Sequence, residues 1–125
     1  MSGETKTEKL VQTLKDLKQN GGISGAAIVT KDGLLVASEL SEDIDGETLA
    51  AMTATMTGAA ETAMSELKKK EIERVIVESK DARLISTEAG KQTILVCMVD
   101  MKAKLGLVLL EMERTAKIIE KEVEK

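Results

Sequence analysis

Apolar residues recur along this chain with two alternating periods. Between residues 4 and 19, Leu10, Val11, Leu14 and Leu17 fall at helical spacing among Lys, Glu and Gln, which predicts a one-sided amphipathic helix. Asn20-Gly21-Gly22 ends it, since Asn and Gly accept the left-handed conformation of a helix cap. Ser24–Thr30 and Leu34–Ser38 read as strands, and the Asp32-Gly33 pair between them suits a tight hairpin turn. A polar connection follows, in which Ser41 or Asp45 is placed to cap a helix running from about Glu47 to Lys69. Ile72–Ser79 then alternates, with Val75 and Val77 against Arg74, Ile76 and Glu78. Arg83–Thr87 and Gln92–Asp100 are two further strands. In the last strand Ile94, Val96 and Met98 point one way and Leu95, Cys97 and Val99 the other. Both of its faces must therefore be covered, as in a central strand with layers above and below. A final helix, about Ala103 to Glu122, has the apolar stripe Leu105, Val108, Leu109, Met112, Ala116, Ile119 and Val123. The order is helix-strand-strand-helix-strand-strand-strand-helix. At this length one domain is expected, residues 1–125 with a core of about 4–122.

The middle helix departs from the amphipathic pattern. From Ala50 to Leu67 its only charges are Glu61 and Glu66. Leu49, Met52, Met56, Ala60, Ala63 and Leu67 cluster on one side and are bulky enough to pack on a sheet. Opposite them lie Ala51, Thr55, Gly58, Thr62 and Ser65, none large or charged. A solvated face is one reading of that second stripe. The other is a helix–helix contact, because small residues in a row permit close approach. Gly58 in a helix interior costs about 1 kcal/mol relative to Ala, and a solvated face would more naturally carry Glu and Lys. The second reading predicts a homodimer with these helices antiparallel across a two-fold axis. Val75 and Val77 extend the expected interface if their strand is a sheet edge that pairs with its twin. Alternatively Glu73, Arg74 and Glu78 are ordinary charged guards of that edge.

Composition removes most chemistry. The chain has no His, so the commonest general base at neutral pH is missing, and one Cys without His makes a zinc site untenable. A single Cys97 also fits a reducing compartment. There is no aromatic residue to stack on unpaired bases, and a net charge of -4 opposes a nucleic-acid footprint. The apolar runs are far shorter than the roughly 20 residues of a membrane helix, and the polar start "MSGETKTEK" lacks the apolar stretch of a secretion signal. A cytoplasmic protein without membrane insertion is expected. "GGISGAA" matches neither nucleotide-binding glycine pattern and leads into a strand rather than a helix. Cys97 sits in an apolar strand with no base to activate it, and Asp100 and Glu111 have no carboxylate partner placed by spacing. No catalytic, cofactor-binding or metal residue is expected.

Two segments carry a family resemblance. In "GGISGAAIVTKDGLLVAS" a helix end leads into a hairpin with Asp-Gly at its turn. In "MVDMKAKLGLVLLEMERTAKII" an apolar strand ends in Asp, and Leu-Gly-Leu opens a helix with Glu-Met-x-Arg near its centre. Taken in order and spacing, from about Leu10 to Ile119, the chain resembles the roadblock / dynein light-chain family. The resemblance implies an α+β fold, a five-stranded antiparallel sheet with the middle helix on one face and both terminal helices on the other. It also implies dimerisation through the middle helix and the third strand, giving one continuous sheet. Relatives in bacteria and archaea often accompany Ras-like small GTPases, whereas eukaryotic ones serve as dynein light chains or membrane-tethered scaffolds. The expected function is therefore a non-catalytic homodimeric scaffold that regulates a Ras-like small GTPase. Arg74, Arg83 and Arg114 are the candidates for any arginine that assists hydrolysis. The alternatives are a structural adaptor without effect on nucleotide turnover, or a small-molecule sensor, for which convergent polar groups are lacking.

Overall fold

Thr5 starts the first helix. Its hydroxyl accepts from the Glu8 amide at 3.1 Å, while the Glu8 carboxylate accepts from the Thr5 amide at 2.9 Å, a reciprocal capping box. The computed structural model describes residues 4–125; Met1 to Gly3, part of the polar N-terminus discussed above, lie outside them. Helix α1 (Lys6–Lys18) buries Leu10, Leu14 and Leu17, as their spacing predicts. Gly22, at φ +95°, then turns the chain into β1 (Ile23–Thr30). Gly33, at φ +97°, supplies the hairpin turn into β2 (Leu35–Glu39). The remaining elements are α2 (Gly46–Glu66), β3 (Arg74–Glu78), β4 (Ala82–Glu88), β5 (Thr93–Asp100) and α3 (Leu105–Val123).

The five strands form one antiparallel sheet in the order β2-β1-β5-β4-β3. β5 is central, as its two apolar faces require. Leu95, Cys97 and Val99 face α1 and α3, in a core shared with Leu10, Leu14, Leu17, Val108, Met112 and Ile119. Ile94 and Val96 face α2, together with Ala27, Val29 and Ala50. The α+β architecture and the division of the helices, one on one face and two on the other, are those expected. β3 and β2 are the two edges of the sheet.

Both ends of α2 are held by local hydrogen bonds. Asp45 caps its start, one carboxylate oxygen accepting from the Glu47 and Thr48 amides and the other from the Thr48 hydroxyl at 2.9 Å. The Thr48 hydroxyl, and after it the neighbouring amides, hold the Asp45 carboxyl below its ordinary pKa. At the C-terminus the Lys69 amide donates to Met64 at 3.0 Å and the Lys68 amide to Ser65 at 2.9 Å, the paired bonds of a Schellman cap. Glycine ordinarily occupies the left-handed position of this cap, but here it is Lys68, at φ 58°. Replacing Lys68 by Gly is expected to raise the unfolding free energy by about 1 kcal/mol. Urea denaturation with an unchanged slope tests this, and a lower midpoint for Lys68→Gly would contradict it.

Candidate functional site

The residues that seat α2 on the sheet are small. Ala50, Thr53 and Thr57 are buried against a surface of Ala27, Val29, Ile94 and Val96. This corrects the expectation that Leu49, Met52, Met56, Ala60, Ala63 and Leu67 form the sheet-facing side. Met52 is 55% exposed and Leu67 64% exposed; Ala63 is exposed, and only Leu49 packs against the core, from its margin. The reason is volume. The strands already supply branched side chains at this layer, and the helix fits with small ones.

Of the predicted dimer-interface residues, Thr55, Gly58, Thr62 and Ser65 are exposed, and Ala51 is half-buried beside the Gly33 turn. The Thr55 hydroxyl donates back to the Ala51 carbonyl at 2.9 Å, so it offers no free donor on this face. A Cβ added at Gly58 would meet nothing within 4 Å. Packing within one chain therefore does not call for glycine there, despite its cost to the helix. The same outer side carries the exposed apolar residues Met52, Ala59 and Ala63, of which Met52 and Ala63 were expected on the sheet-facing side. The bulk of Val29, Ile94 and Val96 was the signal that would have turned the helix the other way.

Val75 and Val77 lie on β3, at the sheet edge. Their partners across the ladder are Ser86 and Leu84, and Leu84 packs with the α2-side core, so both valines share the α2 side of the sheet. Val75 is half-buried; Ile76 and Val77 are exposed. Beside them an open cavity of about 300 Å³ is lined by Ile44, Leu49, Val77, Leu84 and Met98, along with Ser79, Ala82 and Arg83. The structure thus brings the valine edge and an apolar groove together with the helix stripe on one side of the sheet, though only Val77 reaches the groove.

The three candidate arginines are each engaged by a carboxylate of the same chain. Arg74 lies 3.7 Å from Glu73, Arg114 lies 3.1 Å from Glu111, and Arg83 pairs with Glu78 and also donates to the Met101 carbonyl at 3.4 Å. By strand register Arg74 and Arg83 belong to the face covered by α1 and α3, and Arg114 is on α3 itself. Asp100 and Glu111 line a second cavity, of about 470 Å³, between the end of α1 and the start of α3, with Lys102 and Lys104. Among the described residues no three potential metal-ligating side chains come together, and no helix is long and apolar enough to cross a membrane.

The pattern of the Roadblock/LC7 domain matches residues 9–98. Protein MJ0714 of Methanocaldococcus jannaschii is 35% identical over 105 residues, covering 84% of this chain and 88% of that protein. The chain belongs to the Roadblock/LC7 family. Among solved structures, Myxococcus xanthus MglB superposes with a TM-score of 0.87 at 25% identity, covering 93% of this chain and 95% of that one. MglB in a tetrameric arrangement gives 0.87 at 22% identity, covering 99% and 94%.

Burial in β5 pushes the Cys97 thiol up to about 12. Alkylation at neutral pH should therefore require opening of the sheet, at least about a hundredfold slower in the native protein than in urea. Rapid labelling of the native protein would contradict this placement of Cys97.

Proposed function

We propose that this protein is a homodimeric scaffold, without catalytic groups of its own, that binds and regulates a Ras-like small GTPase. The observation that carries the dimer is an α2 face of small side chains, uncharged from Ala51 to Ser65, beside an unpaired, valine-bearing sheet edge and an apolar groove. Ala51, Thr55, Gly58, Thr62 and Ser65 are the positions at which two α2 helices approach each other antiparallel, with Met52 and Ala59 adding apolar contact. Val75 and Val77 join through pairing of the two β3 edges into one continuous sheet. A two-fold contact of this kind removes the edge as a template for aggregation. MglB, one of the structural neighbours, has itself been found in a tetrameric arrangement, which is in keeping with self-association.

The GTPase class rests on the family resemblance. From Gly46 to Glu66 α2 carries no Lys or Arg. A regulator without catalytic groups acts by holding the switch segments of its partner, which lowers a barrier by preorganisation. Arg74, Arg83 and Arg114 remain the candidates for a donated arginine, and each must first leave its ion pair.

Ala59→Arg places a charge on the outer face of α2 without touching the core. It is expected to halve the mass measured by light scattering. A wild-type monomer, or a variant that remains dimeric, would contradict the interface. Gly58→Ala separates packing from helix propensity: the helix gains stability, while overpacking between helices weakens the dimer by about tenfold. A cognate GTPase mixed with the wild type should change its hydrolysis rate, nucleotide exchange or elution volume. No change in any of the three, with the dimer intact, would leave the structural adaptor as the surviving function.

A further inference from the structure

The dimer proposed above leaves the outer face of α3 uncovered, because α3 and α2 lie on opposite sides of the sheet. Six residues share that outer face at helical spacing: Leu107, Leu110, Arg114, Lys117, Ile118 and Lys121. Leu107 is 60% exposed, Leu110 43% and Ile118 55%. The core side of α3 is already supplied by Val108, Met112, Ala116 and Ile119, so this is a second apolar row rather than the margin of the first. Exposed apolar surface of this kind, interleaved with charge, marks a contact.

The charges in the row have one sign. Arg114 reaches sideways to Glu111, whereas Lys117 and Lys121 carry no ion pair among the described residues. Acidic residues stand only on the flanks, Glu111 and Glu122 to one side and Glu113 and Glu120 to the other. At its N-terminal end the row runs through Leu107 into the cavity of about 470 Å³ beside Gly22 and Ala103, where Asp100 and Glu111 are offset by Lys102 and Lys104. The first turn of α3 contains no acid, and its cap residue Lys104 makes no side-chain capping bond.

The geometry points to an acidic amphipathic helix of a partner protein as the occupant of this row. Its apolar residues lie between Leu107, Leu110 and Ile118. Carboxylates three and four positions apart face Arg114, Lys117 and Lys121, and a bulky apolar side chain enters the cavity beside Leu107. A second copy of the chain fits worse, because a two-fold contact would bring the same three cations against themselves. An anionic bilayer fits worse as well, because its broad plane would also meet the flanking glutamates, whereas a helix sets one narrow line of carboxylates between them.

The test uses the full chain and a labelled synthetic helical peptide of about five turns, with Leu at every third and fourth position and Glu beside them. A twin peptide carries Lys in place of Glu. Fluorescence anisotropy should show saturable binding of the Glu peptide, weakened by salt. The Lys twin should bind at least about tenfold more weakly, as should the Glu peptide to Leu110→Glu or Lys117→Glu. Both altered side chains are exposed, so circular dichroism and mass should match the wild type. Amide resonances should shift along α3 and at Gly21 and Gly22. Absence of saturation, equal binding of the two peptides, or shifts confined to α2 and β3 would overturn the assignment. So would a reduced mass for Leu110→Glu, which would give the face to a second copy. Binding to phosphatidylserine vesicles that is lost in Lys117→Glu, without peptide binding, would give it to a membrane.

Discussion

The constraint on which this fold depends is that β5 is apolar on both faces while the described residues supply three helices to cover them. α1 and α3 together close one side, with Leu10, Leu14 and Leu17 meeting Val108, Met112 and Ile119 over Leu95, Cys97 and Val99. On the other side α2 is alone. It seats on β1 and β5 through Ala50, Thr53 and Thr57, which leaves Leu84, Met98 and Val77 along an open groove toward the β3 edge. One helix is too little cover for that face of a five-stranded sheet, and the shortfall is apolar.

The shortfall explains features that packing within one chain does not. Small residues against the strands turn Met52 and Leu67 outward, where water is a poor neighbour for them. Gly58 has open space where alanine would strengthen the helix. The β3 edge exposes Ile76 and Val77, and its charges, Glu73, Arg74 and Glu78, stand at its ends. Together these are the features on which the proposed self-contact rests. α3 presents a different surface on the opposite side, where exposed leucines are interleaved with cations. The two proposals divide accordingly, self-association on the α2 side and a partner helix on the α3 side.

Much of the architecture was legible because it rests on periodicity. The alternation in β5 placed it at the centre, the Asp32-Gly33 pair marked the hairpin, and the spacing of Leu10, Leu14 and Leu17 identified the buried side of α1. The orientation of α2 was not legible, for a physical reason. Size alone does not say which side of a helix is inward when the opposing strands already fill the layer with Val29, Ile94 and Val96. The stripe from Ala51 to Ser65 was nonetheless found, because uncharged small residues stand out against the Lys and Glu of the other helices. The outer row of α3 was not legible because the stronger inner stripe satisfies the amphipathic pattern by itself, without Leu107, Leu110 and Ile118. Lys68 in a left-handed cap could not be read either, since no local rule places Lys there.

The central claim is that the open side of the sheet, at α2 and β3, is closed by a second copy. Amide hydrogen exchange across a dilution series examines it most directly, because only the interface changes its exposure with protein concentration. The account predicts that amides of Arg74–Glu78 become more protected as concentration rises, while those of α1 and β5 do not change. Protection of β3 that is independent of concentration, with a particle mass of 13.4 kDa throughout, would contradict it.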